Sequence, residues 1–439
     1  PKRLRNMELA LLVIVWAINA AAVVLVQLGS LGAIEPTIVI LVAGLSLLTL
    51  IVHLVLRFLA AEADPFVLPI ATLLNGIGLA GIYRIDIAEG VTGWESVAVR
   101  QIVWTTIAIV AAIVVLVVVR NHRILQRYTY LAMLVSFALL LLPLLPGIGR
   151  TISGARVWIA IGPFSFQPGE IAKIVLAVFF AGYLVSRRDS LSIVGRRVLG
   201  LQLPRVRDLG PILVVWAVTM GVIVFQRDLG TALLYFGLFL VMIYVATGRF
   251  SWILLGLLLF VGGALLASQT LDYVNGRLTN WLDAFNPDVY ARDGGSFQLV
   301  QGLFGLANGG LIGTGLGQGM PDVTPVAQSD YIIATLGEEL GLTGVFVVLA
   351  LYLLLISRGF RIGFAGQDDF GKLLAIGLSF VLALQCFIVI GGVTRVIPLT
   401  GLTTPFLAAG GSSLVANWII AALLLRISDT VRNQPRLVI

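Results

Sequence analysis

The 439-residue sequence is 59% hydrophobic and 12% charged, with a mean hydropathy of +1.03. Soluble domains carry about 25% charged residues, so a soluble fold is excluded. The apolar runs are continuous, whereas the strands of a membrane β-barrel alternate in polarity, so a barrel is excluded as well. The sequence predicts an all-α polytopic membrane protein, because a chain of this length can hold roughly a dozen spans of ~20 residues.

The distribution of charge and the small number of Cys and His residues argue against nucleic-acid binding, an intrachain disulfide and a Cys/His metal site. The formal net charge of +7 comes from Lys and Arg between the apolar runs, which is typical of topology determinants rather than of a nucleic-acid-binding surface. Cys386 is the single cysteine, so no intrachain disulfide can form. His53 and His122 are the two histidines, and with one cysteine they cannot make a Cys/His metal site.

Twelve apolar runs predict membrane spans, at 8–28, 36–58, 66–84, 101–119, 128–145, 169–186, 211–226, 229–247, 251–268, 332–356, 372–394 and 405–427. The first run lacks a small-residue cleavage site, so it is interpreted as a span rather than a cleavable signal peptide. Only Gln226, Arg227 and Asp228 separate the seventh and eighth runs, which could therefore form one broken helix pair.

The distribution of Lys and Arg predicts the orientation. With the N-terminus in the cytoplasm, 20 of these residues fall inside and 8 outside. Both termini, with a tail over 431–439, are therefore expected in the cytoplasm, and the long polar segment 269–331 is expected outside. The inside loop 187–210 has six arginines. We interpret it as a topology determinant in contact with anionic lipid, with a specific partner site as the alternative.

Two clusters of ionisable residues lie at membrane depth, where such residues are costly and often functional. Glu170 and Lys173 are three residues apart, so they can pair on one helix face. The pair either lets its helix enter the membrane or lines a polar cavity for a charged ligand. Asp228 could cap the helix that begins near Leu229. The alternative is that Arg227 or Asp228 faces an exterior cavity.

Further polar residues lie near the outer ends of the last spans. Asp330, Glu338 and Glu339 flank one span, and because the two glutamates are adjacent on a helix, at most one is expected to face a bundle interior. Arg395 is either an interfacial anchor or a phosphate ligand. The glycines at 313–319 follow no strand, so they predict irregular backbone rather than a nucleotide-binding fold.

The exterior segment 269–331 has an excess of carboxylates. A carboxylate can act as general base on a sugar hydroxyl, and exterior arginines can hold a pyrophosphate leaving group. This pattern favours transfer chemistry on a lipid-linked sugar. The alternatives are a transporter of such a lipid and a non-catalytic scaffold. The six aspartates are Asp272, Asp283, Asp288, Asp293, Asp322 and Asp330.

Six ordered motifs between Asp64 and Trp418 carry a resemblance to a known family. They read DPFVLPIATLLNGIGLAGIYRID, GARVWIAIGPFSFQPGEIAK, QRDLGTALL, SFQLVQGLFGLANGGLIGTGLGQG, SDYIIATLGEELGLTG and TRVIPLTGLTTPFLAAGGSSLVANW. With them the chain resembles the SEDS proteins, the RodA/FtsW peptidoglycan glycosyltransferases, especially actinobacterial members. The resemblance implies a ten-span core over 64–430 and an extra N-terminal helix pair over 1–63.

The activity that the resemblance implies is polymerisation of lipid II into glycan strands at the outer face of a bacterial cytoplasmic membrane. The reaction would invert the anomeric centre and release undecaprenyl pyrophosphate. A class B penicillin-binding transpeptidase would be the partner, and a divalent cation, Mg²⁺ or Mn²⁺, is a candidate cofactor. The LAAGGSSL sequence favours the RodA (elongation) branch over the FtsW (division) branch.

The resemblance also implies site residues. The family's essential aspartate precedes an aromatic-Gln motif, and alignment on GGSFQLVQ selects Asp293 as the base. Counting from WLDAF selects Asp288 instead, and Asp283 is a third choice, because ARDGGSFQ lacks the family's usual Asp-Pro. The residues expected to bind substrate are Arg156, Gln167, Glu170 and Lys173, followed by Asp330, Glu338 and Arg395.

Overall fold

The computed structural model describes residues 2–198 and 201–433. Within them, twelve helices are long and apolar enough to cross a membrane, which confirms the predicted fold class and number of spans. The tail predicted at 431–439 lies outside the described residues from 434 onwards, as do positions 199–200 of the arginine-rich loop. The twelve spans contain α1 (Lys2–Leu31), α2 (Gly44–Leu59), α3 (Val67–Glu89), α4 (Val97–Val118), α5 (Thr129–Leu141), α6 (Pro168–Ser192), α7 (Gly210–Gly221), α8 (Leu229–Thr247), α9 (Ser251–Thr270), α13 (Ile332–Ala365), α14 (Asp369–Val393) and α15 (Gly411–Arg432).

The polar segment between α9 and α13 contains three α-helices joined by irregular chain. It contains α10 (Asp272–Leu282), α11 (Pro287–Ala291) and α12 (Phe297–Gly309). The last span begins at Gly411, later than the predicted 405. Hydropathy does not separate the apolar residues before Gly411 from the helix, but Pro405 disfavours helical geometry there.

Two small antiparallel sheets accompany the helices. One contains β1 (Gly149–Ile152), β2 (Ala155–Ile161) and β3 (Phe164–Phe166), and the other contains β4 (Val194–Val198) and β5 (Leu201–Pro204). The turn between β1 and β2 consists of Ser153 and Gly154, whose φ values of 51° and 81° are both positive. A two-residue hairpin of this kind needs such φ values, and strands this short leave no clear periodic signal in the sequence.

The described residues group into two compact units, three of whose boundaries in the sequence fall within α10, α13 and α14. The first comprises residues 2–121, 280–358 and 385–433, and most residues of α3 are buried within it. Helix α1 packs against α3, and α4 packs against α15. A Cβ at Gly78 of α3 would lie 2.3 Å from the carbonyl oxygen of Leu407, so glycine allows this close approach. The Trp418 indole donates to Asn75 Oδ1 at 3.2 Å, which satisfies a buried donor.

Buried ion pairs tie the first two helices of this unit to the segment before α3. Glu8 accepts from Arg5 at 2.7 Å and lies 2.6 Å from His53 Nδ1. Arg5 also donates to the carbonyl oxygen of Ala63. Because these side chains are almost completely buried, they are stable only as a network. Helices α1 and α2 are thus fixed to the polypeptide that leads into α3.

The second unit comprises residues 122–279 and 359–384. Helix α6 packs against both α5 and α8, with the rings of Phe180 and Phe239 5.2 Å apart. The predicted break between the seventh and eighth spans is confirmed. After α7, a π-helical turn leads to Arg227, whose φ of 57° is left-handed, and α8 begins after Asp228.

Candidate functional site

Residues 280–301, which we call the aspartate lobe, form a compact part of the first unit. Asn280 donates to the Gly294 carbonyl at 2.9 Å and accepts from Arg292 at 2.8 Å. The Ser296 hydroxyl donates to the Ala284 carbonyl at 2.5 Å. These bonds close the chain between α10 and α12 on itself. Its small apolar core contains Ala284, Leu299 and Val300, with Tyr290 and Leu303 against it.

All three candidate base aspartates are exposed on this lobe. Asp283 follows α10 and accepts from the Asn286 side chain at 2.8 Å. Asp288 lies in the first turn of α11, where its amide donates to Asn286 Oδ1 at 3.0 Å. Asp293 lies in the turn between α11 and α12, beside Gly294, whose φ is 66°. An exposed carboxylate of this kind is accessible to a substrate hydroxyl, as a general base must be.

Arg395 contacts the first residues of the lobe, at the end of α10. Its Nε donates to the Trp281 carbonyl at 2.8 Å, and its Nη2 donates to the Leu282 carbonyl at 2.9 Å. The Trp281 indole N–H donates in return to the Arg395 carbonyl at 3.0 Å. The guanidinium also lies 5.2 Å from the centroid of the Phe285 ring. Two of the N–H directions that could bind a phosphate are therefore occupied by protein.

Glu338 and Glu339 are both buried, with exposed fractions of 6% and 2%. The glycine-rich segment folds over the start of α13 and supplies donors to both. Burial by this segment does not place both side chains in the helix bundle, so the expectation that at most one faces a bundle interior stays a prediction. Glu339 accepts from the amides of Gly317 and Gly319 at 2.9 and 3.2 Å. Glu338 accepts from the Met320 amide at 3.2 Å and from Asn308 at 3.0 Å.

The glycine-rich segment has the irregular backbone that the sequence predicted. Gly313, Gly315 and Gly317 have φ values of 84°, 102° and 86°, a region in which other residues are strained. With this backbone, the Gly317 amide donates to the Glu339 carboxylate, whereas the Gly315 amide donates to the main-chain carbonyl of Glu339. Asp330 follows the segment, is partly buried and accepts from the Ser329 hydroxyl at 3.3 Å. Glu338 thus holds backbone in place, whereas Asp330 lies closer to the surface.

The predicted pair of Glu170 and Lys173 is present in the second unit. Lys173 Nζ lies 2.5 Å from Glu170 Oε2, and the two side chains are 1% and 6% exposed. Pro168 begins α6, so Glu170 lies in its first turn, where the helix dipole favours a carboxylate. Tyr235 of α8 donates to the Gly169 carbonyl at 2.8 Å, which fixes this helix end against α8.

Asp228 caps α8, as predicted. It accepts from the Thr231 amide at 3.0 Å and from the Thr231 hydroxyl at 2.5 Å. Burial raises the pKa of Asp228; the bonds from Thr231 oppose this rise, and the charge of Glu170 adds to it. Burial also raises the pKa of Tyr273, whose hydroxyl donates to the Ile223 carbonyl at 2.7 Å. The second unit therefore places acidic groups close together in a poorly solvated environment.

Arg156 and Gln167 belong to the same unit. Arg156 lies on β2, and its Nε donates to the Pro143 carbonyl at 3.2 Å. Gln167 is the residue before α6 and does not use its side chain to cap the helix. Both are partly exposed, and Gln167 directly precedes the helix that carries Glu170 and Lys173.

Metal-ligating side chains do not form a cage in the described part of the chain: no three His, Cys, Asp or Glu residues could hold an ion together. Mg²⁺ is commonly bound by one or two carboxylates together with substrate phosphates. A cation shared between one lobe aspartate and a pyrophosphate would therefore need no such cage.

Comparison with known proteins decides the family. A model of the FtsW/RodA/SpoVE family, described as cell cycle proteins, matches residues 64–433. The chain belongs to this family. The peptidoglycan glycosyltransferase RodA of Mycobacterium tuberculosis is 45% identical over 98% of this chain and 92% of that protein. A probable peptidoglycan glycosyltransferase FtsW of Geobacter metallireducens is 32% identical over 76% of this chain and 86% of that protein.

The fold is similar to that of one chain in the solved structure of a larger assembly. A chain from a peptidoglycan synthase complex, studied for its coordination of polymerization and crosslinking, matches with a TM-score of 0.64 at 25% identity. The match covers 85% of this chain and 99% of that one. Together with the higher identity to RodA, this confirms the resemblance drawn from the six motifs and makes this FtsW/RodA/SpoVE protein a multi-pass membrane protein.

Sequence reasoning missed two residues that shape the site of this family member. Arg84 is not among the predicted site residues, yet its Nε donates to Glu339 at 2.7 Å and its Nη2 to the Gly319 carbonyl at 2.7 Å. An arginine near the end of an apolar run was the available signal. Trp281 was not singled out, and its pairing with Arg395, 114 residues away, leaves no local pattern in the sequence.

Proposed function

We propose that this protein is a RodA-type peptidoglycan glycosyltransferase, which polymerises lipid II into glycan strands for cell elongation and shape. The observation that carries the proposal is the 45% identity to RodA over 98% of the chain. The exposed aspartate lobe supplies the carboxylates that such chemistry needs.

The proposed orientation follows from the charge asymmetry, with 20 Lys and Arg residues in the inside segments and 8 in the outside ones. Both termini are then cytoplasmic, and the aspartate lobe faces the exterior, where lipid II is consumed. The proposed organisation is an additional helix pair over 1–63, a glycosyltransferase core over 64–430 and a cytoplasmic tail over 431–439. The family match, which begins at residue 64, supports the first boundary.

The proposed reaction is a displacement with inversion. The 4-hydroxyl of the N-acetylglucosamine of lipid II attacks the anomeric carbon of the lipid-linked strand. Asp293 accepts the hydroxyl proton, the new glycosidic bond forms, and the bond to undecaprenyl pyrophosphate breaks with the electron pair leaving on the phosphate. The exposed turn that holds Asp293 supports this role, and Asp288 is the alternative base.

The residues proposed to bind the charged parts of the substrate are Arg156, Gln167, Glu170, Lys173 and Asp330. In the second unit, Lys173 is the buried cation and Arg156 the partly exposed one, with Glu170 and Gln167 beside Lys173 in sequence. Asp330 is partly buried, whereas Glu338 acts through the glycine-rich backbone that it holds. A Mg²⁺ or Mn²⁺ ion, if required, would be held by Asp293 or Asp288 and would neutralise the pyrophosphate.

A class B penicillin-binding transpeptidase is the proposed partner, because strand synthesis and crosslinking must be coordinated. The likeness to a chain from a peptidoglycan synthase complex supports an assembly of this kind.

A second candidate function is transport of the lipid-linked precursor across the bilayer. The buried pair of Glu170 and Lys173, together with the helix break at Arg227, favours it, because discontinuous helices and intramembrane charges are common at transporter sites. A transporter does not need the lobe carboxylates, whereas the proposed polymerase does.

The test is glycan-strand synthesis from purified lipid II by the purified protein, with and without the transpeptidase, and with and without a chelator. A parallel assay measures movement of fluorescent lipid II across vesicles that contain the same preparation. The proposal predicts strands of several disaccharides and no transport above that of empty vesicles. Transport without strand synthesis would overturn it in favour of the second candidate.

A further inference from the structure

We propose that Arg395 is a positioning residue, which together with Trp281 fixes the aspartate lobe on the first unit. This inference rests on the proposed function, because the lobe carries the proposed base. It assigns to Arg395 a role in holding the polypeptide that bears Asp293, rather than a role in binding the pyrophosphate of the substrate.

The contact between the two residues runs in both directions. Arg395 Nε and Nη2 donate to the carbonyls of Trp281 and Leu282, at 2.8 and 2.9 Å. The indole N–H of Trp281 donates to the Arg395 carbonyl at 3.0 Å. The ring of Phe285 lies against the guanidinium, 5.2 Å from centroid to carbon. Four contacts on one arginine and its partners define a single relative position for the two segments.

The carbonyls that Arg395 binds belong to the end of α10, which stops at Leu282. The last four carbonyls of a helix have no partner within the helix, and a cation is favoured at this negative end. Arg395 thus acts as a C-terminal cap supplied from a distant part of the chain. The planar fork of arginine can bind two neighbouring carbonyls at once, which the single ammonium of lysine does less well.

The backbone conformation at Arg395 is unfavourable for arginine, which indicates that its side-chain contacts stabilise the fold. Its φ is 61°, in the left-handed region, just after α14 ends at Val393. The Val396 amide donates to the Gly391 carbonyl at 2.8 Å across this turn. Glycine or asparagine would adopt this conformation with less strain. Arginine therefore has a conformational cost here, which its contacts with α10 offset.

Hydrogen bonds connect the residues that Arg395 binds to the rest of the lobe. Its acceptors, Trp281 and Leu282, immediately precede Asp283. The bonds from Ser296 to Ala284 and from Asn280 to Gly294 then connect this end of α10 to the turn that holds Asp293. Loss of the Arg395 contacts should therefore displace or loosen the proposed base without removing any group that touches substrate.

The experiment compares Arg395→Gln and Arg395→Asn with wild type in lipid II polymerisation. The asparagine variant suits the left-handed turn, so it keeps the fold while removing the fork. A displacement of the base by ~1 Å can reduce turnover by about 100-fold, so we expect kcat to fall roughly 10- to 100-fold with KM within about threefold. A rise in KM at unchanged kcat would overturn the inference, because it would make Arg395 a substrate ligand.

Hydrogen exchange of the lobe provides a readout that is independent of activity. Faster exchange of the amides at 283–297 in both variants supports the inference, and unchanged exchange contradicts it. Trp281→Phe, which removes the indole donor and leaves a smaller aromatic ring but keeps the Trp281 carbonyl, should give a smaller change in the same amides. Its effect should not add fully to that of Arg395→Gln. Arg100→Gln is the matched control, because Arg100 is exposed and donates to the Glu95 carbonyl, away from the lobe.

The exchange experiment also separates this inference from the proposed function. If wild-type protein makes no glycan strands but the variants loosen residues 283–297, the proposed function fails and the positioning role stands. If wild-type protein is active and the variants change neither exchange nor kcat, the positioning role alone fails.

Discussion

Arg84 and Glu339, 255 residues apart in the sequence, form a buried pair with Nε and Oε1 2.7 Å apart. Their side chains are 8% and 2% exposed. Arg84 Nη2 donates to the Gly319 carbonyl, and Glu339 accepts from two amides of the same glycine-rich segment. The pair therefore holds α3, α13 and the segment between α12 and α13 together inside the first unit.

Replacement of Arg84 should destabilise this arrangement strongly. In Arg84→Met, Glu339 remains buried without its cation, and breaking such a pair costs about 3–5 kcal/mol. The double variant Arg84→Met/Glu339→Gln should lose less than the sum of the single changes. Thermal unfolding in detergent measures both effects. Equal losses for Arg84→Met and for the exposed control Arg100→Gln would contradict this view of the pair.

For Glu170 and Lys173 in the second unit, removing one partner should likewise cost more stability than removing both. Lys173→Met leaves a buried carboxylate without its nearest cation, at a cost of about 3 kcal/mol or more. Lys173→Met/Glu170→Leu removes both charges and should recover most of the lost unfolding temperature. If the double variant regains stability yet synthesises no strands, the pair acts on substrate as well as on structure. A double variant with full activity would exclude a role in substrate binding.

Two variants of Asp228 distinguish the effect of its hydrogen bonds on stability from the effect of its charge. Asp228→Ala should cost ~1 kcal/mol, a typical value for the loss of a cap. Asp228→Asn keeps an acceptor for the Thr231 amide and removes a buried carboxylate whose pKa is raised, so it should equal or exceed wild type at neutral pH. Its advantage should shrink as the pH falls through the raised pKa, because the wild-type carboxyl is then also neutral. An alanine variant as stable as the asparagine variant would exclude a capping role.

The lowered pKa of Asp368 predicts that the stability of the protein depends on pH. Burial alone would raise its pKa, but hydrogen bonds with His122 and the Gly371 amide lower it to about 2 from 3.8. Its contribution is therefore present above about pH 4 and is lost as the pH falls towards 2.

Asp368→Asn should thus cost about 1–2 kcal/mol at pH 7 and progressively less below pH 4, measured by thermal unfolding. The neighbouring Asp369 is the control. It is 55% exposed and pairs with Arg188, which is 52% exposed, so Asp369→Asn should cost less than about 1 kcal/mol. A pH-independent difference between wild type and Asp368→Asn would show that the effect comes from shape rather than charge.

Local features of this protein were predictable from sequence because they depend on neighbouring residues. Continuous apolar runs predicted twelve spans, the three-residue spacing predicted the pairing of Glu170 with Lys173, and Asp228 before an apolar run predicted the cap. The boundary of the last span was wrong by several residues, since an apolar segment containing Pro405 has the hydropathy of a helix without its geometry.

Contacts between distant residues were not predictable in this way. Helical spacing placed Glu338 and Glu339 on different faces, but it could not show that the glycine-rich segment covers both. The same holds for Arg395, whose acceptors are more than a hundred residues away. The identity of the base also rests on a motif alignment, because Asp283, Asp288 and Asp293 all lie exposed on one lobe.

The role of Asp293 as the base is tested by lipid II polymerisation with Asp293→Ala and Asp288→Ala beside wild type, after each variant is shown to unfold at the wild-type temperature. Asp322→Ala serves as the control, because Asp322 is an exposed carboxylate outside the lobe. We expect Asp293→Ala to lose strand synthesis while Asp288→Ala and Asp322→Ala retain it. Full strand synthesis by Asp293→Ala would contradict the assignment of the base, and full synthesis by both lobe variants would contradict a catalytic role for these two aspartates.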